Sequence, residues 1–191
     1  MLAFTRERMM DSLSQVSKLI DMYQRRESQF IEKTVAWLTA AEESLLQIKS
    51  PLASFVAAER GKLLAASDGY INHEINPGRH SNRKTQAAMA ALVLSRVELA
   101  VRNQIVHIDE KFDALREKMI QFVAVSTANG SPSYTLPAPF EPREAWLKTV
   151  WESLKVSAET ANMRNYLNTA LTPSDRLYLL DSFIDNLGNP Q

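Results

Sequence analysis

Residues 81–128 have the sequence SNRKTQAAMAALVLSRVELAVRNQIVHIDEKFDALREKMIQFVAVSTA, which contains neither glycine nor proline. From Leu94 onward, apolar side chains recur at steps of three and four residues, the spacing of one face of an α-helix. We call this face the core seam; it consists of Leu94, Val97, Val101, Ile105, Ile108, Phe112, Leu115, Met119 and Phe122. The stretch therefore predicts one long amphipathic helix over about 81–128. Two successive steps of four, ending at Ile105, depart from heptad spacing and predict a local kink or change in winding.

A second long amphipathic helix is predicted over about 2–49, because none of the 5 glycines precedes Arg60. Apolar residues again step by three and four, with a skip in the pattern at Glu27. The expected buried positions are Met9, Leu13, Val16, Ile20, Tyr23, Ile31, Val35, Leu38, Ala41, Leu45 and Ile48.

Three shorter helices are expected elsewhere. Ser50 followed by Pro51 is typical of a helix start and predicts a helix over 51–70. A helix over 142–171 is predicted from an apolar face of Trp146, Val150, Leu154, Ala158 and Ala161. Thr172, Pro173 and Asp175 predict the cap of a last helix over 173–187.

The sequence thus predicts an all-α fold, an elongated helical bundle. We expect a long-helix bundle over 1–128 and a proline-rich connector over 129–142, which contains four prolines. A C-terminal helical part over 143–191 is expected to pack on the same domain. A chain of 191 residues is long enough for one domain with a substantial core.

Composition excludes several classes of function. Lys plus Arg and Asp plus Glu both total 22, so no overall positive charge favours DNA, RNA or an acidic membrane, and any polyanion must bind to a local patch. The absence of cysteine excludes disulfides, zinc-thiolate sites and thiol catalysis. The longest apolar run, Ala87–Leu94, is too short to cross a bilayer, and the first residues lack the features of a secretory signal. We therefore expect a cytoplasmic protein that binds neither DNA nor membrane.

The predicted helix over 81–128 contains Arg102-Asn103-Gln104-Ile105-Val106-His107. This pattern resembles the signature of the HEPN superfamily (higher eukaryotes and prokaryotes nucleotide-binding domains). That signature is an arginine, a polar residue that is often asparagine, a few further residues and then a histidine. Arg102, Asn103 and His107 match it in type and spacing, so the resemblance covers six residues and their helical context.

The resemblance implies a small all-α domain. Many members are metal-independent endoribonucleases of toxin-antitoxin and phage-defence systems, so it implies RNA as a substrate and an antitoxin or other cognate protein as a partner. HEPN domains usually form homodimers in which motifs from two protomers line one composite cleft. By this resemblance Arg102, Asn103 and His107 are the candidate catalytic residues.

The chemistry of the same residues agrees with an RNA-cleaving site. Cleavage of RNA without a metal needs a group that moves a proton and a cation that stabilises charge on the phosphate. Histidine suits the first task because imidazole changes charge near neutral pH, and the arginine fork matches phosphate oxygens. Five residues at about 100° each place Arg102 and His107 roughly 140° apart, flanking the core seam, so one straight helix does not bring them together. A dimer would resolve this difficulty.

Two weaker groups of residues are also present. Arg79, Arg83 and Lys84 form a basic patch that is a candidate RNA contact or a solubilising surface. His73, Glu74 and His80 share one polar segment but lack the spacing of a metal site, so no metal or other cofactor is expected.

Two alternatives to a nuclease remain open from the sequence. The first is a non-enzymatic scaffold that acts through dimerisation or through contacts with partner helices; in that case Arg102 meets a carboxylate such as Glu98, four residues earlier, and only shields the core. The second is an amphipathic protein that acts on membranes, supported by the apolar run Ala87–Leu94 alone.

Overall fold

The computed structural model describes residues 1–68, 82–130, 142–154, 156–158 and 160–188. Over these ranges the regular structure consists of eight α-helices without a strand. They are α1 (Leu2–Ser14), α2 (Val16–Gln24), α3 (Phe30–Gln47), α4 (Leu52–Ser67), α5 (Asn82–Ala128), α6 (Arg143–Ser153), α7 (Ala161–Ala170) and α8 (Pro173–Gly188). The predicted all-α helical fold is confirmed. None of the helices in these ranges combines the length and the apolar content needed to cross a bilayer.

Contacts divide the chain into two compact units. The N-terminal unit is Phe4–His107, and the C-terminal unit is Met1–Ala3 together with Ile108–Gln191. Helix α5 contributes its first part to one and its second part to the other. The organisation into 1–128, a connector over 129–142 and 143–191 stays a prediction, because most of the connector lies outside the described residues.

Helix α5 matches its prediction closely. It runs over 47 residues, and neither a 3₁₀ nor a π turn interrupts it at the irregular steps near Val101. All the residues of the core seam are buried, with at most 7% exposure. After the helix ends, Gly130 adopts a φ of 82° and donates its N–H to the carbonyl of Thr127 at 3.0 Å. A glycine in this conformation is a common helix stop.

The single helix predicted over 2–49 is wrong, because α1, α2 and α3 replace it. The main break follows α2, where Arg26 has a φ of 57°. The N–H of Arg26 bonds to the carbonyl of Tyr23 (3.0 Å), and that of Glu27 bonds to the carbonyl of Met22 (3.0 Å). This pair of bonds is a Schellman motif, which ends a helix and usually uses glycine. An arginine gives no such signal in the sequence.

The breaks also change which side chains are buried. Ile20 and Tyr23 were expected in the core but are 37% and 42% exposed. Leu19 and Met22 are buried in their place in α2, and Phe30 and Trp37 are buried in α3 where Ile31 and Val35 were expected. Val16 and Leu38 are buried as predicted, so the buried face is only slightly rotated from the predicted one. The indole Nε1 of Trp37 donates to the carbonyl of Ser12 at 2.8 Å and so joins α3 to α1.

Helices α3 and α4 form a hairpin in the N-terminal unit. A second Schellman motif ends α3: Lys49 has a φ of 53°, and the N–H of Ser50 bonds to the carbonyl of Leu45 at 2.9 Å. Pro51 then precedes α4, so the helix start predicted there is confirmed. Arg60 on α4 pairs with Glu42 on α3 at 2.8 Å.

The continuous helix predicted over 142–171 is also wrong, because α6 ends at Ser153 and α7 begins at Ala161. Leu154 is extended, with φ −65° and ψ 114°. The N–H of Ser157 bonds to Oγ1 of Thr160 (2.8 Å), and the N–H of Thr160 bonds to Oγ of Ser157 (3.3 Å). This reciprocal pair is a capping box, which starts a new helix.

An aromatic and guanidinium cluster holds the C-terminal unit together. The ring of Trp151 lies 5.4 Å from that of Phe122 on α5, and the guanidinium groups of Arg164 and Arg176 lie 5.4 and 5.2 Å from it. Cations over an indole ring are attracted by its negative face. Trp151 is 4% exposed and so belongs to the core of this unit.

Asp175 joins the first turn of α1 to the first turn of α8. Its Oδ2 accepts the N–H of Leu2 (2.9 Å) and its Oδ1 accepts that of Ala3 (3.1 Å), and the amino group of Met1 also contacts Oδ2. The N–H of Asp175 bonds to Oγ1 of Thr172 at 3.3 Å, which confirms the cap predicted for the last helix. Burial raises the pKa of the Asp175 carboxyl, but hydrogen bonds, led by that of the Met1 amino group, outweigh it and hold the pKa below its usual range.

Replacing Asp175 by asparagine is expected to lower the free energy of unfolding by about 1–3 kcal/mol at neutral pH, because a buried acceptor and its charge are lost. A depressed pKa stabilises the fold above the ordinary aspartate pKa of about 3.9, and the contribution disappears as the pH falls through the lower folded value. Urea denaturation between pH 7 and pH 2.5 therefore should show the difference between the two proteins shrinking in acid. The exposed Asp21→Asn is the control, and an Asp175→Asn deficit that is equal at every pH would contradict this account.

Candidate functional site

The first part of α5 has one buried and one outward face. Val97, Val101 and Ile105 are buried in the N-terminal unit. On the opposite side Leu99 is 59% exposed and Val106 is 55% exposed. These two residues are seven positions apart, so they lie on one line along the helix surface. We call Leu99 and Val106 the outward stripe.

The three residues of the HEPN-like motif are all exposed on this outward face. At about 100° per residue, Arg102 lies roughly 60° to one side of Leu99, and His107 lies roughly 80° to the other side. Asn103 lies between them, beside the stripe. Arg102 and His107 therefore border the outward stripe, and the seam buried behind them is not part of the site.

Arg102 is paired within its own helix. Its Nε lies 2.9 Å and its Nη2 lies 2.7 Å from Oε1 of Glu98. The Arg102 side chain is 59% exposed, and that of Glu98 is 21% exposed. Exposed pairs of this spacing stabilise a helix by only about 0.3–0.5 kcal/mol. The contact is therefore weak enough for a ligand to compete with it.

The basic patch lies apart from the motif. Arg83 and Lys84 are exposed in the first turn of α5, whereas Arg79 lies outside the described residues. Eighteen residues separate Lys84 from Arg102, which corresponds to roughly 27 Å along the helix axis. One phosphate group cannot contact both Lys84 and Arg102, whereas a nucleic acid of several nucleotides is long enough to contact both.

No metal site is found among the described residues, in which His, Asp and Glu form no group of three or more able to hold an ion. The segment with His73, Glu74 and His80 lies outside that part of the chain.

One charged group in the N-terminal unit was missed by the sequence analysis. Glu59 is 2% exposed, with Lys62 Nζ at 2.5 Å from Oε1 and Arg96 Nη1 at 3.7 Å from Oε2. A signal was present, because Glu59 falls between the buried Val56 and Leu63 at helical spacing. Glu59 thus pairs with Lys62 on its own helix and with Arg96 on α5, and we assign it no chemistry.

Comparisons with known proteins add nothing to this picture: no family model, curated protein or solved structure matches the chain.

Proposed function

We propose that this chain is a homodimeric HEPN-like protein that binds and cleaves RNA without a metal, in a toxin-antitoxin or phage-defence type system of the cytoplasm. Arg102, Asn103 and His107 form its site. One observation supports the proposal above others: the three motif side chains are exposed on one helix face, on both sides of an exposed apolar stripe.

The outward stripe supports dimerisation through this face. Leu99 and Val106 leave more than half of their surface in solvent, and a second copy would remove that apolar surface from water. In a two-fold dimer the same patch meets itself, so the face needs no other partner. Contact along this line would place Arg102 of one copy and His107 of the other beside one shared groove.

Such a groove has the groups that RNA cleavage requires. The 2′-oxygen attacks the adjacent phosphorus while the bond from phosphorus to the 5′-oxygen breaks, which leaves a 2′,3′-cyclic phosphate and a 5′-hydroxyl. In this proposal Arg102 stabilises the charge on the phosphate oxygens, and His107 transfers the proton to or from the reacting oxygen. Asn103 orients the substrate or the imidazole by hydrogen bonding, and Arg83 and Lys84 contact flanking phosphates.

The proposed dimer contact predicts where an engineered cysteine will form a disulfide. The chain has no cysteine of its own, so single substitutions are unambiguous. Asn103→Cys, next to the outward stripe, should form a disulfide-linked dimer under mild oxidation, because a disulfide needs Cα atoms within about 7 Å. Non-reducing electrophoresis measures it. Lys18→Cys, exposed on α2, is the control; equal cross-linking of both variants would argue against contact through this face.

The proposed activity predicts cleavage of RNA by the wild type, with His107→Ala slower by about 100-fold or more because the proton transfer is lost. Purified protein is incubated with tRNA and single-stranded RNA in EDTA, and the ends are tested for cyclic phosphate. Arg102→Ala should be similarly impaired. Arg116→Ala is the matched control, since Arg116 makes a comparable pair with Asp113 at 2.5 Å on the same helix.

Two results would decide against the nuclease. Wild-type protein that leaves every RNA intact would rule out cleavage, and efficient disulfide formation at Asn103→Cys in that protein would favour a scaffold that dimerises without chemistry. Equal loss of activity in Arg116→Ala and Arg102→Ala would show that the motif arginine has no special role.

A further inference from the structure

The contact between Glu98 and Arg102 uses one particular edge of the guanidinium group. Oε1 of Glu98 accepts a hydrogen bond from Nε of Arg102 and also lies 2.7 Å from Nη2. An arginine has a second edge, formed by Nη1 and the remaining proton of Nη2, which has the fork geometry that binds phosphate oxygens. Glu98 therefore contacts one edge of the Arg102 guanidinium, and the other edge keeps the geometry that suits a phosphate.

The two partners differ in how firmly they are placed. Glu98 is 21% exposed and lies next to the buried Val97, whereas the Arg102 side chain is 59% exposed. The carboxylate is thus the better fixed of the two, and the guanidinium reaches outward from it. The hydrogen bond from Nε and the close contact of Nη2 with the same oxygen restrict rotation of the guanidinium.

We propose that Glu98 is a positioning residue that holds the Arg102 guanidinium for a phosphodiester at the motif face; this inference rests on the proposed function. Arginine loses much rotational freedom when it is immobilised, so a side chain ordered before the substrate arrives avoids part of that loss. Glu98 also places a negative charge near the substrate. Glu98 is therefore expected to raise the rate of the cleavage step, whereas its negative charge weakens the binding of RNA.

Two substitutions separate these effects. Glu98→Gln removes the charge but keeps an oxygen that accepts the same hydrogen bonds, whereas Glu98→Ala removes both. We expect Glu98→Ala to lower kcat for RNA cleavage about twofold, with a smaller change in KM, because an exposed pair of this strength holds the arginine only part of the time. Glu98→Gln should keep kcat close to the wild-type value and bind RNA more tightly. Glu43→Ala, which removes an exposed carboxylate from α3, is the control.

A measurement without RNA tests the positioning directly. In 15N NMR spectra of the free protein, the Nε–H of Arg102 should exchange slowly with water in the wild type and in Glu98→Gln, and rapidly in Glu98→Ala. The signal is assigned by its absence in Arg102→Ala.

The outcomes distinguish this inference from the function on which it rests. An active wild type together with full kcat in Glu98→Ala, or with Glu98→Gln as slow as Glu98→Ala, overturns the positioning role alone. An Nε–H of Arg102 that exchanges rapidly in the wild type also overturns the positioning role alone. If the wild type cleaves no RNA although this Nε–H is protected, the proposed function fails and the positioning role fails with it.

Discussion

Burial of the core seam fixes the rotation of α5 about its own axis, and the position of every candidate functional group depends on that rotation. Each buried apolar side chain of the seam contributes about 1.5–3 kcal/mol relative to exposure. A turn of α5 by one residue would expose part of this seam and bury charged side chains, at a large cost in free energy. With Val101 and Ile105 buried, helical geometry leaves Arg102 and His107 on the outward side. The exposed motif is thus a direct consequence of the core.

In the proposed function, the same constraint leaves the site of a single chain incomplete. A regular helix separates Arg102 and His107 by roughly 140°, and α5 is α-helical throughout, so nothing within it brings the two groups together. Exposed Leu99 and Val106 between them form an apolar line that a second copy would cover. In the proposed dimer, this line would complete the site. Glu98 pairs with Arg102 in the single chain and, as proposed, positions the arginine before a substrate binds.

Features of the fold that depend on a local sequence pattern were predicted correctly. The core seam of α5, the start of α4 at Pro51 and the cap at Thr172 follow from apolar spacing and capping preferences. The breaks after α2 and α3 follow Schellman motifs centred on Arg26 and Lys49. Neither is a glycine, and their left-handed conformations are set by surrounding packing, which the sequence pattern does not reveal.

Part of the candidate site was predictable because it depends on local helical spacing. Helical spacing predicts the angle between Arg102 and His107 and the proximity of Glu98. The observed pair of Arg102 with Glu98 is the contact that the sequence analysis expected for the non-enzymatic alternative. Leu99 and Val106 fall outside the predicted core seam, and their exposure agrees with that position. The contacts of Asp175 with Leu2 and Ala3 join residues more than 170 positions apart, and no local rule connects such positions.

The central claim is that Arg102 from one copy and His107 from another share one groove. Mixing Arg102→Ala with His107→Ala tests it most directly. After subunit exchange, half of the dimers carry both variants, and each such dimer has one intact groove, so cleavage should recover to about a quarter of the wild-type rate. No recovery, with exchange confirmed by a size tag on one variant, would contradict the claim.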